Sequence, residues 1–301
     1  MKRVLLLGGS GFVGRHVCAA LAQAGHALTV ATRRYHHAQA VQTWPTVTVL
    51  EADVLDDAQL DAVIRGHDVV VNLIAVLHGN EARFEQLHVE LPKRIADSCH
   101  RMGVHQLVHI SALGADPQGP SLYQRSKGRG EQALQDIAAR TGLKITLVRP
   151  SVIFGADDQF INLFAKLQKV APIMPLAGAG ARFQPVWVQD VAQAVARIVQ
   201  DVRRQGHTYE LGGPEVLTLA DLVRHAGRWA GCPRPILPLP HAVAWLQAAL
   251  MELAPGEPLM SRDNLASMQV DNVLSQGLPG LPELGLGQGM ELAGVFPARL
   301  T

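Results

Sequence analysis

Residues 4–7 form an unbroken apolar run with no polar alternation, the pattern of a parallel strand buried on both faces. Residues 8–14 read as a turn. Val17, Ala20, Leu21 and Ala24 then recur at helical spacing until Gly25 stops the helix. Ala27–Thr32 and 46–50 read as the second and third strands, 57–65 as a helix and 68–73 as the fourth strand. A further helical stretch ends near Met102 and Gly103. Gln106–Ile110 is the fifth strand, 123–140 a long helix and 144–148 the sixth strand. This alternation predicts an α/β fold on a doubly wound parallel sheet with right-handed crossovers. After Arg149 the pattern loosens and prolines multiply, from Pro172 and Pro175 to Pro238 and Pro240. The expected division is therefore 1–150 for the sheet and 151–301 for a smaller C-terminal α/β lobe, with segments near 185–215 returning to the sheet-bearing domain. Thr208–Leu211 reads as a strand reaching the sheet's edge. Residues 241–254 are helical in period and strongly apolar, as expected of a helix packed on the lobe's core. A partner or membrane-interface surface is the alternative, weakened by the lack of Lys and Arg.

Composition narrows the setting. Apolar residues are 48% of the 301 and charged residues 18%, which suits a well-packed globular chain. The net charge is +1, without a basic block, so nucleic acid is not expected as a partner. Cys18, Cys99 and Cys232 match no CxxC spacing and suggest a reducing compartment. The first apolar run is too short for a signal core, and nothing approaches the roughly 18 apolar residues of a membrane span. The expected location is the cytoplasm, with peripheral contact at the inner face of a membrane left open. The histidines show no HExxH. His105 and His109 share a strand face but lack metal-ligand context, so no metal is expected.

The turn carries the first chemistry. Gly9, Gly11 and Gly14 fit G-x-G-x-x-G, and Gly8, Gly11 and Gly14 fit G-x-x-G-x-x-G. Between a buried strand and an amphipathic helix, absent side chains let the backbone approach a pyrophosphate, which the helix N-terminus attracts. Such turns bind nicotinamide dinucleotides. An NAD(H) site commonly places an acid after the second strand, on the ribose 2′-hydroxyl; here Arg33 and Arg34 stand there, with no carboxylate expected nearby to repel a phosphate. A guanidinium suits a 2′-phosphate, so NADP(H) is favoured over NAD(H). Asp53 suits the adenine amino group and equally suits capping the next helix. Asp190 precedes an apolar helical run and reads as its N-cap.

Tyr123 and Lys127 lie four apart, hence on one helix face, just after the fifth strand. A neighbouring ammonium favours the phenolate and lowers the phenol's pKa, making Tyr123 a usable acid or base. The glycine turn, this pair, and the stretches 149–155 and 183–192 resemble an extended short-chain dehydrogenase/reductase with a Rossmann domain. The resemblance is greatest to the atypical branch that includes the NADPH-binding accessory subunit of mitochondrial complex I and its bacterial relatives. Residues 110–115, 209–214, 261–264 and 270–273 add to it.

The resemblance implies that Gly8, Ser10, Gly11, Phe12, Val13 and Gly14 hold the pyrophosphate and Arg33, beside Arg34, the 2′-phosphate. It also implies Asp53 and Val54 beside adenine, and Leu73, Ile74 and Ala75 along the ribose. Tyr123 and Lys127 would bind the nicotinamide ribose, with Tyr123 the proton donor, and Pro150, Val152 and Ile153 would lie along the nicotinamide. Active members carry Ser or Thr near the end of the fifth strand. Here Ala112 takes that position and Ser111 stands one residue early, a slip that reverses side-chain direction on a strand. The resulting expectation is an NADP(H)-binding reductase acting on a small molecule and linked to respiratory complex I or quinone metabolism. A non-catalytic NADP(H)-binding assembly or stability subunit is the alternative. A nucleotide-sugar epimerase or dehydratase is weaker, since no sugar-nucleotide motif is present.

Overall fold

The computed structural model describes residues 1–253, 258 and 260–297. Seven parallel strands form the central sheet: β1 (Arg3–Leu7), β2 (Ala27–Thr32), β3 (Val47–Glu51), β4 (Val69–Asn72), β5 (Gln106–Ile110), β6 (Lys144–Pro150) and β7 (Thr208–Leu211). Their order is β7-β6-β5-β4-β1-β2-β3, with β1 the first strand placed and later ones added on either side. Alternation sends successive side chains to opposite layers. Val4, Leu6, Val30, Val71 and Val108 pack with Val17 and Leu21 of α1 (Phe12–Gln23) and with the helix Val188–Gln200. Leu5, Leu7, Val70 and Leu107 face the other way. They meet α2 (Asp57–Ile64), α3 (81–101) and α4 (Leu122–Thr141) through Leu60, Ile95, Leu134 and Ile137.

α3 is interrupted: Glu85–Glu90 winds as a π-helix between the α-helical turns Glu81–Phe84 and Leu91–Arg101. Its π segment packs on α4 so closely that a Cβ at Gly130 would overlap the His88 carbonyl oxygen. β6 runs on through Pro150, whose carbonyl still accepts from the Leu113 N–H although proline has no N–H to give.

Beyond β6, α5 (Ile161–Val170), α6 (Val188–Gln200), α7 (Leu219–Trp229), α8 (His241–Met251) and α9 (Arg262–Ser267) are joined by two- and three-residue strand pairs. α5 and α7 enclose a separate core around Phe154, Phe164, Leu176, Leu222 and Val223. α6 instead packs beside α1, and β7 pairs with β6.

Two expectations for this C-terminal region are corrected. α6 begins at Val188 with Trp187 at its N-cap, so Asp190 sits inside the first turn and accepts the Met290 N–H at 2.8 Å. α8 does not hide its bulky face. Only Ala244 and Ala248 are buried, packed with Ala177 and Leu265, while Trp245, Leu246 and Leu250 are 47%, 56% and 61% exposed. Small residues four apart turn inward, and the large ones are left outside. Ala254, the expected end of that helix, lies outside the described residues.

Candidate active site

Parallel strands bring their C-terminal ends to one edge of the sheet, and the loops leaving that edge carry the predicted residues. Gly8 has φ +85°, which only glycine adopts without strain, and a Cβ there would press on the Leu73 and Ile74 backbone at 3.1–3.2 Å. The turn and the end of β4 are thus in contact, placing Leu73 and Ile74 against Gly8. Ala75 follows them, exposed. Gly14 must be glycine for protein reasons, because a Cβ would overlap the Gly8 carbonyl. Gly11 need not be: a Cβ would meet only Gly8 O, at an ordinary 3.4 Å. Gly11 is the N-cap of α1 and offers no side-chain cap, which leaves the helix's first N–H groups for an anion. Those features fit a dinucleotide pyrophosphate. Ser10 and Val13 lie in the same turn, and Phe12 reaches Gly155, joining the turn to the loop after β6.

At the β2–β3 end, Arg33 lines a recess of ≈ 450 Å³ with Glu51, Ala52, Asp53 and Gln59. Arg34 is exposed and outside that lining. The expectation of an arginine free of carboxylates is corrected here, since two acids brought in from β3 and the following loop share its recess. Asp53 Oδ1 accepts the Leu55 N–H, and Asp56 rather than Asp53 caps α2 by accepting from Gln59 N–H at 2.9 Å. Val54 is buried in the sheet core.

The helix bearing Tyr123 and Lys127 is anchored at three successive donors. Asp263 of α9 accepts the Leu122 N–H at 2.6 Å and the Tyr123 N–H at 3.1 Å, while Ser121 Oγ accepts from Gln124 N–H. The Arg125 N–H then begins the helical ladder on the Ser121 carbonyl. Lys127 is buried, and its Nζ donates to the Ile110 carbonyl at 3.2 Å. The Tyr123 ring meets Phe84 and His88 edge-on, with centroids at 6.1 and 5.5 Å.

His88 is fully buried in the π segment. Its Nε2 accepts the Val76 N–H, so the network assigns the proton to Nδ1, which lies 2.9 Å from Ser126 Oγ. Ser126 Oγ in turn donates to the Tyr123 carbonyl at 2.8 Å. The sequence spacing held no sign of this chain.

Burial dominates the titration of these groups. It pushes the Tyr123 phenol up to about 12, the reverse of the expected depression beside Lys127. Lys127 itself falls to about 8 through burial, against the opposing pull of Glu131. His88 falls to about 3, through burial first and then the nearby Lys127 charge.

At the end of β5, Ser111 donates its N–H to Val148 O, while its buried Oγ has no partner among the described residues. His105 precedes β5 and is exposed, whereas His109 is buried, so the two do not form a pair. Asn72 Oδ1 accepts the Ile74 N–H and its Nδ2 faces His109 Nδ1 at 3.0 Å. That arrangement leaves His109 Nε2 as a buried donor without a partner among the described residues. Pro150 ends β6, Ile153 packs on the sheet core and Val152 on the second core. Asn272 ties this corner together, accepting from Ser151 Oγ at 2.6 Å and donating to Leu113 O. Among the described residues no cluster of His, Cys, Asp or Glu could hold a metal ion, and no helix is long and apolar enough to cross a membrane.

Residues 4–212 match the model of the NAD dependent epimerase/dehydratase family. The chain belongs to that family. It is also 28% identical over 291 residues to the mouse protein NADH dehydrogenase [ubiquinone] 1 alpha subcomplex subunit 9, mitochondrial, covering 93% of this chain and 75% of that one. A ceramide reductase of Caulobacter vibrioides is 28% identical, covering 68% of this chain and 67% of that one. In fold, the UDP-glucose 4-epimerase of Thermus thermophilus, solved with NAD, superposes with a TM-score of 0.71 at 20% identity over 98% of this chain and 97% of that one. The family binds a nicotinamide dinucleotide, which agrees with the glycine turn of this member.

Proposed function

We propose that this family member is an NADP(H)-dependent reductase in which Tyr123 delivers the proton. The observation that carries the reading is the placement of Tyr123 and a buried Lys127 four residues apart on one doubly capped helix, at the sheet edge that also bears the glycine turn. Gly8, Ser10, Gly11, Phe12, Val13 and Gly14 would hold the pyrophosphate, Arg33 the 2′-phosphate, and Tyr123 and Lys127 the nicotinamide ribose. A nicotinamide held there supplies hydride chemistry. The phenol, pushed up to about 12, stays protonated through the neutral range and serves as a donor to a developing alkoxide. Lys127 offers a charge that stabilises phenolate once the proton has left. Ser111, whose Oγ is uncommitted, is the nearest hydroxyl in sequence to the Ala112 position. The sheet-bearing residues 1–150, together with 185–215, form the proposed dinucleotide body, and the remainder of 151–301 the substrate lobe.

The test is direct. Nucleotide-free protein is titrated with NADPH and NADH by nicotinamide fluorescence, expecting at least tenfold tighter NADPH binding that Arg33→Ala abolishes. NADPH consumption is then followed over carbonyl and quinone substrates, with Tyr123→Phe expected to abolish turnover. Equal affinity for the two nucleotides refutes the NADP(H) assignment, and turnover in Tyr123→Phe refutes the proton donor.

A second reading rests on the exposed face of α8 and on Ala112: a non-catalytic NADP(H)-binding subunit that stabilises a respiratory or quinone-pathway assembly at the inner face of a membrane. Affinity purification without respiratory or quinone-pathway proteins would remove it.

A further inference from the structure

A cavity of ≈ 690 Å³ lies beside the Tyr123 helix, between the segment after β4 and the helices α8 and α9. Its size suits a small-molecule ligand. Phe84 and Leu122, neighbours of Tyr123 in space and in sequence, form one wall. Leu77, Trp245, Pro258 and Ala266 add further apolar surface.

The polar groups in the wall are engaged with one another. Glu252 takes the Arg262 N–H at 2.7 Å and its Nε at 2.8 Å, and the guanidinium lies 5.3 Å from the Trp245 ring centre. Asp263 is committed to the backbone of α4, and Ser261 Oγ to Asn264. Among the described lining residues two carboxylates therefore face one guanidinium, which already has a counter-ion. A diphosphate entering here would meet no free cation and would pay desolvation against net negative charge. His78 also lines the cavity, but its Nδ1 is closed off from solvent and so offers no hydrogen bond to a molecule in the recess.

We infer that the cavity is a ligand site for an uncharged molecule with an apolar body, bearing the carbonyl that the proposed reductase acts on. The apolar body packs against Leu77, Phe84, Leu122 and Ala266. This names the substrate class of the reductase proposed above and rests on that reading for its role beside Tyr123. As a binding statement it is independent of turnover.

The test titrates 2-dodecanone and UDP-glucose separately into the full chain by calorimetry, with and without NADPH. The ketone is expected to bind at least tenfold more tightly than the sugar nucleotide. Ala266→Trp, which fills the cavity, should weaken ketone binding at least tenfold with the NADPH affinity unchanged. Should that variant lose its fold by circular dichroism, Leu77→Glu at the exposed rim puts a charge in the same wall and should have the same effect. Comparable or tighter UDP-glucose binding overturns the inference, as does ketone binding indifferent to the substitution that folds. Failure of NADPH binding alone refutes the dinucleotide reading and leaves the cavity's ligand class standing.

Discussion

Replacing Asp263 by alanine removes both acceptors from the first two N–H groups of α4 while leaving the Ser121 cap in place. Hydrogen bonds to an ionised acceptor contribute about 1.5–3 kcal/mol each. Leu122 and Tyr123 are only partly buried, so water recovers much of that when the carboxylate is gone. A net loss of about 2 kcal/mol remains, in line with the upper range for N-terminal caps and their dipole interaction. Because 1.4 kcal/mol is tenfold, local opening of the helix start should rise about 30-fold. Hydrogen exchange read by mass spectrometry on peptides covering 121–126 measures this directly. Asp263→Asn keeps one acceptor oxygen and should recover about half of the loss. If exchange at Leu122 and Tyr123 changes by less than about threefold in the alanine variant, Ser121 alone sets the helix start and the role given to α9 is wrong.

Three further outcomes follow from named contacts. His88 has a folded pKa of about 3 against 6.5 when unfolded, so the unfolded chain binds the extra proton first on acidification. The stability His88 contributes is full above pH 6.5 and falls as pH drops toward 3, by about 1.4 kcal/mol per pH unit. Relative to His88→Gln, wild type should therefore lose stability between pH 6 and 4 in urea titrations, and parallel curves refute this. Gly130→Ala should cost more than about 3 kcal/mol despite alanine's helix preference, because α3 and α4 must separate; an unchanged urea midpoint contradicts that. Arg149 stands between the buried carboxylates Glu131 and Glu210, so Arg149→Met should cost about 3–5 kcal/mol in urea unfolding. A loss below about 1 kcal/mol would falsify the pairing.

The sheet was legible because buried parallel strands are written locally, as apolar runs punctuated by glycine. β1, β2 and β5 needed no partner to be recognised, and the glycine turn sits where strand and helix meet. The contacts that organise the Tyr123 region are not local. Asp263 lies 140 residues from Tyr123, and Asn272 lies 121 from Ser151. No spacing rule reaches across such distances. The phenol's behaviour also depends on non-local packing. Spacing reveals Lys127 four residues away but not the burial that outweighs it. α8 failed differently. Its composition is apolar throughout, so periodicity could not say which face the fold would use, and Ala244 and Ala248 decided it by fitting closely. Glu51 lies beside Arg33 only because β3 pairs with β2, which sets Glu51 opposite Thr32, the residue before Arg33.

The last strand of the sheet to be synthesised is also an outermost one. Until Thr208–Leu211 emerges, β6 presents a row of unpaired N–H and C=O groups flanked by Ile145, Leu147 and Val148. The growing chain must carry that sticky border while residues 151–207 are made, and those residues include the beginning of a different core. An unpaired edge of this kind favours association of chains before the sheet is completed. A chain released at residue 150 is expected to associate edge to edge rather than persist as a free-standing nucleotide-binding unit.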